Sequence, residues 1–129
     1  MEIEPDTLSC VPFALSMVYR LSYEIVCHMI MDAGVPYNAV PVEIIEKLLN
    51  RDFKVIEKKT YQRKLNLNKW NKRGIWVAVL DRANGRGIQA HCAIIHNGRM
   101  MDNHSVHGAN YNYDDSAAVC HAWQLKEAV

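Results

Sequence analysis

Asn97-Gly98, set between two apolar runs, constrains the fold more than any other pair of residues in the chain. Between Ile94-Ile95-His96 and Arg99-Met100-Met101 it reads as a two-residue hairpin turn of the primed kind. Such a turn fixes register. His96 then faces Arg99, Ile95 faces Met100, Ile94 faces Met101 and Ala93 faces Asp102. Side chains alternate along a strand, so His91, Ala93 and Ile95 share one face with Met100 and Asp102. His91 and Asp102 become diagonal neighbours, within reach of an imidazole–carboxylate hydrogen bond. A carboxylate in that position fixes the imidazole tautomer and stabilises its cation, which a general base requires. Asn103 points to the other face. A one-residue slip would exchange it with Asp102, so Asn103 is the reserve orienting group.

The second informative stretch is Ser9-Cys10-Val11-Pro12-Phe13-Ala14-Leu15-Ser16-Met17-Val18. Pro12 suits a first helical turn, where its missing N–H costs nothing. Asp6, Thr7 and Ser9 supply candidate capping oxygens. The sequence therefore predicts a helix over Pro12–Leu21, with Cys10 at or beside its N-cap. Phe13, Met17 and Leu21 lie on one side, and Ala14, Leu15 and Val18 widen the apolar face into that of a central, buried helix. The partial positive charge at a helix N-terminus favours thiolate over thiol.

In chain order, Ser22 caps a second helix over Ile25, Val26, Met29 and Ile30, which Gly34 ends. Residues 35–40 connect it to a third helix, opened by Pro41 and running from Val42 to about Asn50, with Ile44, Ile45, Leu48 and Leu49 inside. Phe53, Val55 and Ile56 mark a short strand within 52–60, and the polar, basic stretch 61–73 reads as a loop. Ile75–Leu80 is a continuous apolar strand, buried on both faces. Residues 81–86 read as a turn, Ile88–Ile95 and Arg99–Asn103 as the hairpin, 104–116 as irregular and Val119–Leu125 as a last strand. Helices first and an antiparallel sheet after them make an α+β fold, one domain over 1–129, with the first helix packed on the sheet.

Composition excludes several classes. Half the 129 residues are hydrophobic and the formal net charge is +1, a globular balance that calls for neither nucleic acid nor an anionic membrane. The cluster Lys58, Lys59, Arg63, Lys64, Lys69, Lys72 and Arg73 reads as a solvated loop region. No apolar run is long enough to span a bilayer, and the start Met-Glu-Ile-Glu-Pro lacks the pattern of a signal peptide, so a cytoplasmic location is expected. Cys10, Cys27, Cys92 and Cys120 show no paired spacing and are expected as free thiols. His91, His96, His104, His107 and His121 cluster late in the chain without any zinc spacing, so no metal and no cofactor is expected. His28, beside Cys27 in the second helix, and the three tryptophans read as structural residues.

An early cysteine at a helix mouth and a late histidine–acid pair on a hairpin follow the order of a papain-like site. Cys10-Val11-Pro12-Phe13-Ala14-Leu15-Ser16-Met17 resembles the Cys-Gly-Pro-x-Ala-Leu-x-Met opening of papain-like peptidases of the bacteriocin-processing, double-glycine type. His91-Cys92-Ala93-Ile94-Ile95, the Gly98 turn and Met101-Asp102 resemble the histidine strand and acid of that family, and the likeness covers about residues 4–103. The resemblance implies a papain-like fold with Cys10 as nucleophile, His91 as base and Asp102 as its orienter. It also implies a protein or peptide substrate, with attack on a peptide or related amide bond through a thioester.

Two positions depart from that pattern. Val11 stands where the family has Gly, and Glu4 stands where it has the glutamine of the oxyanion hole. A carboxylate repels a developing oxyanion, and losing one such donor costs on the order of 10²–10³ in rate. These departures motivate a second reading, in which the same scaffold binds a partner protein as an inhibitor or effector without catalysis.

Overall fold

The computed structural model describes residues 9–84, 87–102 and 117–127. Three helices come first: α1 (Cys10–Tyr19), α2 (Tyr23–Asp32) and α3 (Val42–Asp52). Five strands follow: β1 (Val55–Asn66), β2 (Ile75–Asn84), β3 (Gly87–His96), β4 (Arg99–Met101) and β5 (Ala117–Leu125). The strands form one sheet in the order β1-β5-β2-β3-β4, every neighbouring pair antiparallel. The α+β class and its order of elements are those expected from the sequence.

Local chemistry explains the helix ends. The Ser22 hydroxyl accepts the Ile25 N–H at 3.3 Å, a capping bond that starts α2. Gly34, at φ 95°, follows the last turn of α2, and its N–H bonds to the Met31 carbonyl at 2.9 Å. The Pro41 carbonyl accepts the Ile45 N–H at 3.2 Å to open α3. The first helix begins and ends earlier than expected, at Cys10 and Tyr19, because Arg20 takes a left-handed conformation at φ 56° and stops it.

Two apolar layers flank the sheet. On the helix side, Ala14 and Leu15 of α1, Val26 and Ile30 of α2, and Ile45, Leu48 and Leu49 of α3 pack on Val77, Val79, Cys92, Ile94 and Trp123. On the other side Trp76, Ala78, Leu80, Ala93, Ile95 and Val119 are covered by Tyr61, Leu67, Trp70 and Met100. Residues 76–80 of β2 are therefore buried on both faces, as their unbroken apolar run predicts.

The hairpin holds the expected register, with Ile94 opposite Met101, Ile95 opposite Met100 and His96 opposite Arg99. Asn97 and Gly98 take φ 50° and 84°. Asn97 also anchors the turn to the head of β2, its side chain accepting the Gly74 N–H at 2.9 Å while its own N–H donates to the Gly74 carbonyl at 3.0 Å.

Two expectations fail. The segment 61–73 is not a loop throughout: β1 runs on to Asn66, and Leu67–Lys69 form one 3-10 turn. Within it Lys64 pairs with Asp81, and just before it Lys58 pairs with Glu46 at 2.5 Å and Lys59 with Glu57 at 2.9 Å. Residues 81–84 are not a turn either, because Asp81 sits in the ladder between Ala90 of β3 and Ala118 of β5. The return strand of the hairpin is shorter than expected and ends at Met101, while β5 starts two residues early at Ala117. Among the described residues no single helix is long and apolar enough to cross a membrane.

Candidate functional site

Cys10 is the first residue of α1, with Ser9 as its N-cap. The Ser9 hydroxyl makes no capping bond. Instead its backbone N–H donates to the Tyr23 hydroxyl of α2 at 3.0 Å, so the second helix pins the mouth of the first. In that turn the Phe13 N–H is taken by the Ser9 carbonyl at 3.2 Å, and Pro12 has none. The N–H groups of Cys10 and Val11 are left facing the open end of the helix, where the dipole is positive.

α1 lies against β3, and β4 is only three residues long. Among the described residues the β3–β4 ladder covers Ile94–His96, and Cys10 meets β3 just before it, at His91 and Cys92. Its sulfur lies within interaction range of the His91 side chain and the Cys92 backbone, both of which favour its thiolate. His91 Nε2 meets Asp102 Oδ2 at 2.7 Å, in a pair of which Asp102 is 1% and His91 9% exposed. His91 thus sits between Cys10 and Asp102, and its pairing with Asp102 is the one the hairpin register predicts.

The electrostatics favour an ion pair. Burial is the largest single influence on Cys10 and pushes its thiol up. The His91 hydrogen bond, the Cys92 N–H and the His91 charge outweigh it, and the thiol lies below its ordinary value. Burial likewise pushes His91 down, but its hydrogen bonds to Asp102 and Cys10 raise the imidazole to about 9. The two shifts have opposite signs because each charge is the partner of the other. The contacts thus favour a thiolate–imidazolium pair over two neutral groups, a coupled unit whose titrations belong to both.

A cleft of about 530 Å³ opens beside this pair. It is lined by Cys10, Val11, His91 and Cys92, by Val79 and Ile45, and by residues 37–42. The sequence reads 35–40 as a connector; the structure adds residues 37–40 of it to the lining of the cleft. A mostly apolar cleft with few convergent polar groups is the usual form of a ligand site.

Two expected participants, Glu4 and Asn103, lie outside the described residues, as do His104 and His107. His28 is exposed on α2. His96 pairs with Glu127 at 3.2 Å, and His121 stacks on Trp123 with ring centroids 6.1 Å apart; neither lines the cleft. Among the described residues no group of three or more His, Cys, Asp or Glu side chains is arranged to hold a metal ion. Comparison with protein-family models, curated proteins and solved structures finds no match to this chain.

Proposed function

We propose that the chain is a small papain-like thiol hydrolase that cleaves a peptide or related amide bond. The single observation that carries this reading is the Cys10–His91–Asp102 chain at the mouth of α1, with Nε2 of His91 held by Asp102 at 2.7 Å. The free thiols fit a reducing compartment such as the cytoplasm.

The chemistry follows from the geometry. The Cys10 thiolate attacks the substrate carbonyl carbon, and the charge moves to the carbonyl oxygen, facing the Cys10 and Val11 N–H groups. His91 gives its proton to the departing nitrogen, the C–N bond breaks, and the acyl group stays on sulfur as a thioester. A water then replaces the amine. His91 takes its proton, the hydroxide attacks the thioester, and Cys10 leaves as thiolate beside the restored imidazolium. Asp102 does not take the proton; it holds the ring and stabilises its cation.

The test is a digest of a peptide mixture by wild type and by Cys10→Ala, with new termini read by mass spectrometry. Cleavage that depends on Cys10, with a hydroxylamine-sensitive acyl adduct on that residue, is the expected result. Equal cleavage by Cys10→Ala would rule the mechanism out. No cleavage by either, together with an unreactive Cys10, would favour the partner-binding reading.

A further inference from the structure

One buried nucleophile in the cleft has no part in this mechanism. The Cys92 side chain is 1% exposed and faces the helix side of the sheet with Val79 and Ile94. Cys10 packs against that same cluster, and both cysteines line the cleft. The Cys10 sulfur is also near enough to the Cys92 backbone for that backbone to favour its thiolate, and the Cys10 charge in turn raises the Cys92 thiol, so the two groups are neighbours in the cleft.

We propose that Cys10 and Cys92 form a reversible intramolecular disulfide when the protein meets a hydroperoxide, and that this bond protects the nucleophile and switches the site off. The inference rests on Cys10 being the activated thiolate of the proposed hydrolase.

Two steps balance the chemistry. The Cys10 thiolate attacks the distal oxygen of the hydroperoxide, the O–O bond breaks, and the alkoxide or hydroxide leaves and takes a proton from solvent. Cys10 is oxidised by two electrons to the sulfenic acid, and the peroxide is reduced. The Cys92 sulfur then attacks the Cys10 sulfur. The S–S bond forms, the S–O bond breaks, and the hydroxyl departs as water with the Cys92 proton. The division of labour suits the two environments. Contacts with His91 and the Cys92 backbone favour the Cys10 thiolate against its burial, whereas burial pushes the Cys92 thiol far up, so Cys92 suits the part of a protonated resolving group.

One portion of reduced wild type is labelled with iodoacetamide at mildly acidic pH; a second, unlabelled portion is treated with a several-fold excess of hydrogen peroxide and mapped without reduction. Fast labelling of Cys10 before peroxide, a Cys10–Cys92 crosslinked peptide after it, and full recovery of labelling with a dithiol reductant are expected. Cys92→Ala and the better-filling Cys92→Val should lose that recovery and accumulate the sulfinic acid on Cys10. Cys27→Ala should still form the crosslink. Fast labelling without a crosslink, or full recovery in a folded Cys92 variant, overturns the disulfide and leaves the hydrolase standing. Slow labelling of Cys10 in the reduced protein overturns both.

Discussion

Asp102→Asn isolates what the acid does for the histidine. The change keeps the shape of a side chain that is 1% exposed and removes its charge beside His91 Nε2. Burial, the largest influence on His91, pushes it down, and the Asp102 hydrogen bond is the strongest force in the other direction. A hydrogen bond to a charged group is worth about 1.5–3 kcal/mol. At 1.36 kcal/mol per unit this corresponds to about 1–2 pH units. His91, raised to about 9 in the wild type, should therefore titrate about 1–2 units lower in Asp102→Asn. The assay is a pH titration of the imidazole carbon resonances in histidine-labelled protein, with His91 assigned by His91→Gln. A shift under about 0.3 unit, against the 1–2 that a charged hydrogen bond implies, would refute the claim that Asp102 holds the imidazolium.

The remaining predictions concern stability and placement. The His91 contribution, from a raised value, is complete below about 6.5 and lost as pH rises through about 9. That of Cys10, from a lowered value, is complete above its ordinary 9.0 and lost as pH falls through the lowered one. The two slopes have opposite signs over the span they share, so just below pH 9 the urea-midpoint difference between wild type and His91→Gln should change less with pH than His91 alone would make it; a full one-proton slope persisting up to about pH 9 would contradict the ion pair. Leu15→Ala, at a side chain 0% exposed beneath α1, should cost about 2–5 kcal/mol in urea denaturation and slow Cys10 alkylation by loosening the helix mouth. Gly74→Ala should cost about 1–2 kcal/mol, because Gly74 holds φ +95° and a Cβ there would stand 2.5 Å from the Gln124 Nε2; denaturation at wild-type urea concentration would contradict this.

The hairpin was legible because Asn97-Gly98 is a local signal that fixes nonlocal geometry: once the turn is placed, alternation alone brings His91 to Asp102. The cysteine helix was legible because Pro12 and the apolar run after it mark a first turn. What the sequence concealed depends on distant partners. Nothing near Ala117–Leu125 says that β5 inserts between β1 and β2, pairing Lys58 with Trp123 on one side and Val77 with Trp123 on the other. The far half of β1 reads as loop because an edge strand carries polar and charged residues, and Lys64 there is matched by Asp81 of β2. Asp81–Asn84 reads as a turn by composition, yet β3 pairs with all four residues and β5 with Asp81 and Arg82, which holds the segment extended.

The central claim is that Cys10 is a thiolate because His91 is its counter-ion. The most direct test is the rate of iodoacetamide labelling at each of the four cysteines against pH, in wild type and His91→Ala. The account predicts selective labelling of Cys10 with an apparent pKa well below the usual ~8.5. His91→Ala should slow this by about 10- to 150-fold at pH 6, the equivalent of one charge-assisted hydrogen bond. Labelling spread evenly over Cys10, Cys27, Cys92 and Cys120, or a Cys10 rate that His91→Ala leaves unchanged, would contradict it.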